Sequence, residues 1–389
     1  MLAGSARRAI RAVPRQAANI TKPNTGAQPV RSLVTTPSVN SKEVSREELL
    51  EHLKRREQGG PLNVSSKEIP VITYNGQEII KNGEVVVEPK KSTLFINDAV
   101  LAEALEKATS AAPAKQPSFG LTQEVLRQLP PTMQRFTLQG KVAVLTGAAR
   151  GLGYNMAQAL SEVGVKAIAI MDILPDVGAE AVAEIHEATG VPTSYFQVDV
   201  RDGNAITAAV DKIVETYGSV DVLVNSAGIA DSNIKAEEYD SDMWRRLIEI
   251  NVTGCFLSAQ AVGRHMIKAG KGGSMIFIAS MSGGVVNYPQ EQSCYNASKA
   301  AVIQMGKSLA AEWAHHNIRV NCISPGYMDT ELNRVPALEA QKKIWKDLTP
   351  QHRLGGVDEL NNLAVFLASD ASTFMTGANC IIDGGYSLY

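Results

Sequence analysis

From Lys141 onward, short apolar runs alternate with longer stretches whose apolar positions recur every three or four residues. The runs are Lys141–Leu145, Ala167–Met171, Thr193–Val198, Val220–Val224, Met275–Ala279, Ile318–Ile323 and Asn379–Ile382. Lys141-Val142-Ala143-Val144-Leu145 is a short run, apolar after Lys141 and β-branched at Val142 and Val144, which suits a parallel strand buried on both faces. Between the runs, patterns such as Met156, Ala157, Leu160 and Val163 suit helices with one buried face. Strands and helices in alternation predict a doubly wound α/β fold, a parallel sheet of about seven strands covered on both sides.

The chain before Gly140 has a different rhythm. Ser45-Arg46-Glu47-Glu48 resembles a capping box opening a helix through about Glu57, which Gly59-Gly60-Pro61 stops. Val71–Tyr74, the turn pair Asn75-Gly76 and Glu78–Ile80 predict strand, turn, strand. Asn82-Gly83 before Val85-Val86-Val87 predicts a third short strand, and Asp98 is placed to cap a helix over 99–108. The Pro/Ala-rich stretch 111–118 is a linker. Residues 43–136 carry no His/Cys cluster and no phosphate loop, so they are expected to be an accessory arm lying loosely on the main domain, the alternative being a partner-docking element.

Composition changes this picture only at the front. The 389 residues are 44% hydrophobic and 20% charged with a formal net charge of -2, which points to neither nucleic acid nor an anionic membrane as partner. No apolar run reaches the roughly 20 residues of a membrane span. The four cysteines, Cys255, Cys294, Cys322 and Cys380, are scattered and are expected to be free thiols, neither disulfides nor zinc ligands. Residues 1–42 hold Arg7, Arg8, Arg11, Arg15, Lys22, Arg31 and Lys42 and no acid. Leu2, Ala6, Ile10 and Val13 would form a short apolar face beside the arginines, the signature of a mitochondrial transit peptide. A matrix location follows, or a cytoplasmic one if the basic segment is no import signal.

Candidate chemistry begins where the first long strand ends. Thr146-Gly147-Ala148-Ala149-Arg150-Gly151-Leu152-Gly153 joins a strand to a helix, and glycines at such a turn let backbone approach a pyrophosphate at the helix N-terminus. Asp172 closes the second strand about 20 residues later, where a carboxylate takes a ribose 2′-hydroxyl and repels a 2′-phosphate. NAD is therefore favoured over NADP, with Arg150 the opposing signal. Tyr295 and Lys299 lie four apart, one turn along a helix face, where the ammonium favours the phenolate of a Tyr that exchanges a proton.

Thr146–Gly153, Asn225-Ser226-Ala227-Gly228, Asn251, Ser280, Tyr295–Lys299 and Ser324-Pro325-Gly326 resemble, in order and spacing, the short-chain dehydrogenase/reductase family over residues 137–389. Ala279–Gly283 and Asn287–Asn296 are similar to fungal polyol dehydrogenases and carbonyl reductases acting on arabinitol, mannitol, sorbose or related ketones. The resemblance implies a Rossmann-type fold and reversible hydride transfer between a nicotinamide and a secondary alcohol or ketone, without a metal. It implies Tyr295 as the acid or base, Lys299 depressing its pKa and binding the nicotinamide ribose, Ser280 on the substrate oxygen with Ser282 in reserve, and Asn251 anchoring a relay water. For the cofactor it implies Gly147, Arg150, Gly151, Leu152, Gly153 and Asp172; Asp199 and Val200 at the adenine; Asn225, Ala227 and Gly228 past the adenosine ribose; Pro325, Gly326 and Thr330 at the nicotinamide; and Tyr295 with Lys299. Residues 328–347 resemble the family's mobile lid, short of strong core signals, with Arg334 a solvated charge or a substrate contact. A homodimer or homotetramer built on the helix of Tyr295 is expected. The competing readings are a 3-oxoacyl thioester reductase, for which Arg334, Lys342, Lys343 and Lys346 would supply a basic patch, and a non-catalytic scaffold on the same fold.

Overall fold

A computed structural model of the chain describes residues 71–74, 79–81, 84–87, 121, 123–231, 233–334 and 336–389. The expected transit segment, the helices expected over 45–57 and 99–108, and the linker at 111–118 lie outside these residues.

In chain order come β1 (Val71–Tyr74), β2 (Ile79–Lys81), β3 (Glu84–Val87), α1 (Gln123–Gln128), α2 (Pro131–Gln134), β4 (Val142–Thr146), α3 (Gly151–Glu162), β5 (Ala167–Asp172) and α4 (Pro175–Thr189). Next are β6 (Thr193–Gln197), α5 (Gly203–Tyr217), β7 (Val222–Asn225), α6 (Ser241–Ile248), a π-helical segment (Glu249–Thr253), α7 (Gly254–Ala269), β8 (Gly273–Ile278) and α8 (Ser293–Trp313). Then follow β9 (Ile318–Pro325), α9 (Glu339–Leu348), α10 (Asn361–Ala368) and β10 (Asn379–Ile382). One sheet runs β10-β9-β8-β7-β4-β5-β6-β1-β2-β3. Its seven strands from β4 to β10 pair in parallel, as the apolar runs predict. The strand order reverses at β4, which opens a crevice at the carboxyl ends of β4 and β7, where such sheets bind ligands.

Alternate residues of one strand feed two cores. Val142, Val144, Leu223, Met275 and Phe277 pack toward α5, α7 and α8, while Ala143, Leu145, Ile170, Val224 and Ile276 pack toward α3, α4 and α10. Both sets are buried, so β4 reads as a continuous apolar run rather than an alternation. Burying each such Leu, Ile or Phe contributes about 1.5–3 kcal/mol. Asp202 and Asp240 cap α5 and α6 by accepting two backbone N–H bonds each. All four cysteines are free thiols. Burial pushes the Cys322 thiol up to about 12 and raises that of Cys255 as well, which keeps both protonated and unreactive. No helix among the described residues is long and apolar enough to cross a membrane.

Of the arm expected over 43–136, the strands described within 71–87 are joined to the main sheet by backbone pairing. β1 pairs antiparallel with β6 (Val71↔Phe196, Ile72↔Tyr195, Thr73↔Ser194), β2 with β1, and β3 with β2, with a register shift between Ile79 and Ile80. The three strands thus continue the parallel sheet past β6. An edge strand offers unpaired N–H and C=O groups to any extended segment, and this chain fills that row with its own backbone.

Candidate active site

β4 delivers its last residue, Thr146, into the glycine loop. Gly147 has φ +63°, and a Cβ there would lie 2.5 Å from the Ala227 Cα, so two backbones touch where a side chain would keep them apart. A Cβ on Gly153 would lie 2.6 Å from the Gly147 oxygen, which seats the first turn of α3 on the same loop. Gly151, at φ +66°, is the reverse case: no heavy atom lies within 4 Å of the Cβ position. The N-terminus of α3 therefore opens onto free space behind a bare backbone, the cradle a pyrophosphate needs. Arg150, exposed, stands at its N-cap without capping it, and Leu152 packs half-buried against the core.

Asp172 ends β5, buried, and its carboxylate is fixed by the loop itself. Oδ2 accepts the Ala149 N–H at 3.0 Å and Oδ1 the Leu174 N–H at 3.2 Å. Asp172 and the glycine turn are thus one rigid unit. The residues present fit a dinucleotide: a phosphate cradle at Gly151 and an anchored carboxylate at the neighbouring strand end.

Two residues expected at the cofactor have their side chains employed inside the protein. Asp199 chelates Arg201, whose Nε lies 3.0 and 2.9 Å from its two oxygens and whose Nη2 lies 2.5 Å from Oδ2. Burial works against its charge, yet the Arg201 guanidinium and backbone N–H hold the carboxyl below its ordinary value. Asn225, buried, accepts from Thr146 Oγ1 at 2.9 Å and donates to the Cys255 carbonyl at 2.7 Å, tying β4, β7 and α7 together. Thr146 Oγ1 in turn accepts the Ala227 N–H at 3.2 Å. Val200 is buried against Gly254, where a Cβ would lie 2.7 Å from Val200 Cγ2.

Four elements converge on Tyr295. Tyr295 is half-buried in the first turn of α8, and Lys299, one turn on, is buried with Nζ 5.6 Å from the Tyr295 ring centroid. Lys299 Nζ donates to the Ile278 carbonyl at the end of β8 at 2.9 Å. Asn251 lies in the π-helical segment, a local widening of the helix that often marks functional sites. Its Oδ1 accepts the Ile229 N–H at 2.9 Å, and its Nδ2 donates to the Ile229 carbonyl at 2.9 Å and to Ser298 Oγ at 3.1 Å. Ser298 Oγ donates to the Tyr295 carbonyl at 2.8 Å, so Asn251 clamps the 228–229 loop to the turn that carries Tyr295. A Cβ on Gly228 would stand 3.3 Å from Asn251 Oδ1 and 3.6 Å from Lys299 Nζ.

Ser280 and Ser282 follow β8 with their hydroxyls 3.0 Å apart, and Ser280 Oγ also accepts the Ser282 N–H at 3.2 Å. Sequence reasoning missed the support behind them. Buried Gln292 donates from Nε2 toward Asn287 Oδ1 (2.8 Å), Asn296 Oδ1 (2.9 Å) and Ser282 Oγ (3.4 Å). Asn287 donates to the Tyr327 hydroxyl, which donates to Gln290. Tyr327 stacks on Trp345 of α9, centroids 4.2 Å apart and planes 7° from parallel. The signal was present as Asn287, Gln290 and Gln292 at short spacing in a loop.

The lid expectation is corrected in part. Trp345 is 2% exposed and Lys342 is buried and paired with Glu339 at 2.5 Å, so α9 has a firm core anchor. Arg334 is exposed and pairs with Asp329 at 3.1 Å, the solvated-charge alternative. Pro325 ends β9, and Gly326 packs on Asp383, whose Cα a Cβ would meet at 2.6 Å. Thr330 is half-buried at the start of the next short turn.

Comparison with known proteins agrees with this geometry. Residues 147–387 match the family model described as enoyl-(acyl carrier protein) reductase. Sorbose reductase sou1 of Schizosaccharomyces pombe is 39% identical over 252 residues, covering 64% of this chain and 97% of that protein. The NADP-dependent mannitol dehydrogenase of Hypocrea jecorina is 40% identical over 255 residues, covering 65% and 94%. The crystal structure of an NAD+-bound xylitol dehydrogenase superposes with a TM-score of 0.60 at 34% identity, covering 64% of this chain and 99% of that one. With the family model matched over more than half of its length, the chain belongs to the short-chain dehydrogenase/reductase family, whose members are nicotinamide-dependent oxidoreductases acting on alcohols.

Proposed function

We propose that this protein interconverts a polyol and its ketose, with NAD as the favoured cofactor. The single observation that carries the chemistry is the convergence of Tyr295, Lys299, Ser280 and Asn251 at the carboxyl ends of β7 and β8, beside the cradle at Gly151. When bound, the nicotinamide exchanges the hydride with the substrate carbon. In reduction Tyr295 gives its phenol proton to the carbonyl oxygen, and in oxidation it takes the hydroxyl proton back. Lys299, held by Ile278, stabilises negative charge as it develops on the phenol oxygen. Ser280 donates to the substrate oxygen where charge gathers in the transition state. Asn251 keeps the turn of Tyr295 in register with the 228–229 loop.

The polyol reading draws on the named activities of the relatives and on the amide-rich wall of Asn287, Gln290 and Gln292. Of the four lid cations that an acyl-thioester substrate would use, Arg334 and Lys342 are each matched by an acid, while Lys343 and Lys346 stand exposed. The preference for NAD rests on Asp172, whose fixed carboxylate repels a 2′-phosphate, against the exposed Arg150. The basic, acid-free stretch 1–42 supports import into mitochondria, residues 43–136 an accessory role, 137–389 a catalytic domain, and α8 a homo-oligomeric interface. The test is NADH formation from arabinitol, mannitol and sorbitol by the chain lacking residues 1–42, with NADP in parallel and Tyr295→Phe beside it. Turnover with NAD that vanishes in the Phe variant is expected. Binding of cofactor with every polyol and simple ketone inert would sink the polyol assignment.

A further inference from the structure

At the amino ends of the strands, opposite the Tyr295 side, lies a half-open pocket of about 370 Å³ that the reaction above does not use. Its lining is polar apart from Leu126: Arg127 from α1, Gln134 from α2, Thr137, Gln139, Lys141 just before β4, and Asp370 after α10. The volume suits a small metabolite.

The hydrogen-bonding inventory selects the ligand class. Lys141 Nζ donates to Asp370 Oδ1 at 2.5 Å, one of its three donors. Arg127 is exposed at the rim and makes no hydrogen bond or ion pair among the described residues, so its planar fork of five N–H donors faces no acceptor there. Gln134 donates to the Leu129 carbonyl and Thr137 to the Gln134 carbonyl, so both are oriented by backbone. Two cations, Arg127 and Lys141, thus stand against the single carboxylate of Asp370, which is 64% exposed and holds Lys141 only weakly. Two cationic donors lining one concave site match an oxyanion with several charged oxygens.

We propose that this cavity binds a small polyanion, a phosphate ester or a polycarboxylate, between Arg127 and Lys141. The ligand oxygens would compete with Asp370 for Lys141 and engage the guanidinium of Arg127. Because Lys141 leads directly into β4 and so to the glycine loop, occupancy would brace the strand that ends at the cofactor cradle.

Calorimetric titration of the full chain with pyrophosphate, and separately with citrate, tests this and separates the two sources. Arg127→Gln removes an unpartnered surface group, so its fold is expected to be intact, which its melting temperature checks. Binding of at least one probe should weaken roughly tenfold or more in Arg127→Gln, the scale of a lost charge-assisted hydrogen bond. It should tighten in Asp370→Asn, where the competing charge is gone, and fall with added salt. A purely structural role for Asp370 could not tighten it. Equal affinity in the native chain and Arg127→Gln would place the anion at the cofactor loop and overturn the proposal, as would no binding of either probe at millimolar concentration. If Arg127→Gln fails to fold, the Asp370→Asn comparison decides alone, and an unchanged or weaker affinity there overturns the proposal.

Discussion

Where β4 ends, Thr146 is buried and bonded to Asn225 and Ala227; where β4 begins, Lys141 reaches across half-open space to an exposed Asp370. The same contrast separates the two ends of the sheet. At the carboxyl ends, neutral amides and hydroxyls bond one another out of water, and glycines let backbones meet. At the amino ends, long charged side chains do the reaching. Buried neutral hydrogen bonds fix geometry because leaving one unmade costs about 1–3 kcal/mol. Exposed ion pairs are worth about 0–1 kcal/mol and can exchange partners. The rigid end is suited to chemistry that needs placement within tenths of an ångström, and the soft end to ligands that come and go.

The comparison breaks if the carboxyl end tolerates truncation. Ser280→Ala should lower kcat/KM by about 10²–10³ with the fold unchanged, as loss of an oxyanion donor does. Ser282→Ala, one bond further back, should fall at least about tenfold less, and a reversed order in steady-state kinetics would hand the role to Ser282. Next in size, Asn225→Ala strands the Cys255 carbonyl and the Thr146 hydroxyl. It should destabilise the chain by about 1–3 kcal/mol in urea unfolding. Asp199 sharpens the comparison, being an ion pair at the rigid end. Its carboxyl sits below its ordinary value in the folded chain, so its stabilisation is full above the unfolded pKa, near 4, and is lost as pH falls through the folded one. Asp199→Asn should flatten that part of the stability–pH curve, by about 1 kcal/mol or less because the pair is partly exposed. Smallest of all, Lys141→Ala should cost less than about 1 kcal/mol, and a larger loss would mean the amino end is as rigid as the other.

What could be read in the sequence follows the same division of forces. Strand runs and the Tyr295–Lys299 spacing are periodic, and Gly147 to Gly153 mark a backbone need that only glycine meets, so all were legible. Asp172 was legible because a strand end has a fixed address. The partners of Asn225, Asp199 and Gln292 were not, because each bond joins residues distant in sequence or is one choice among several acceptors. The π-helical turn at Asn251 leaves no mark in a 3.6-residue pattern. Trp345 was passed over because one aromatic among the charges of α9 has no periodic company. That 71–87 forms strands was visible in its alternation and turn pairs. That β1 joins β6 was not, because edge pairing is made by backbone, which is alike in every residue.

That pairing also sets an order of events. Thr73 meets Ser194, about 120 positions further along the chain. A ribosome makes β1, β2 and β3 first, yet their docking edge exists only once β6 has emerged and joined β5. Closing a loop of that length is slow beside the local helices and the β4–β5 pairing, so the first strands synthesised are among the last to be placed. Until then the β1–β3 strands and the open flank of β6 both present unpaired backbone, the interval in which edge-to-edge association with another chain competes with folding.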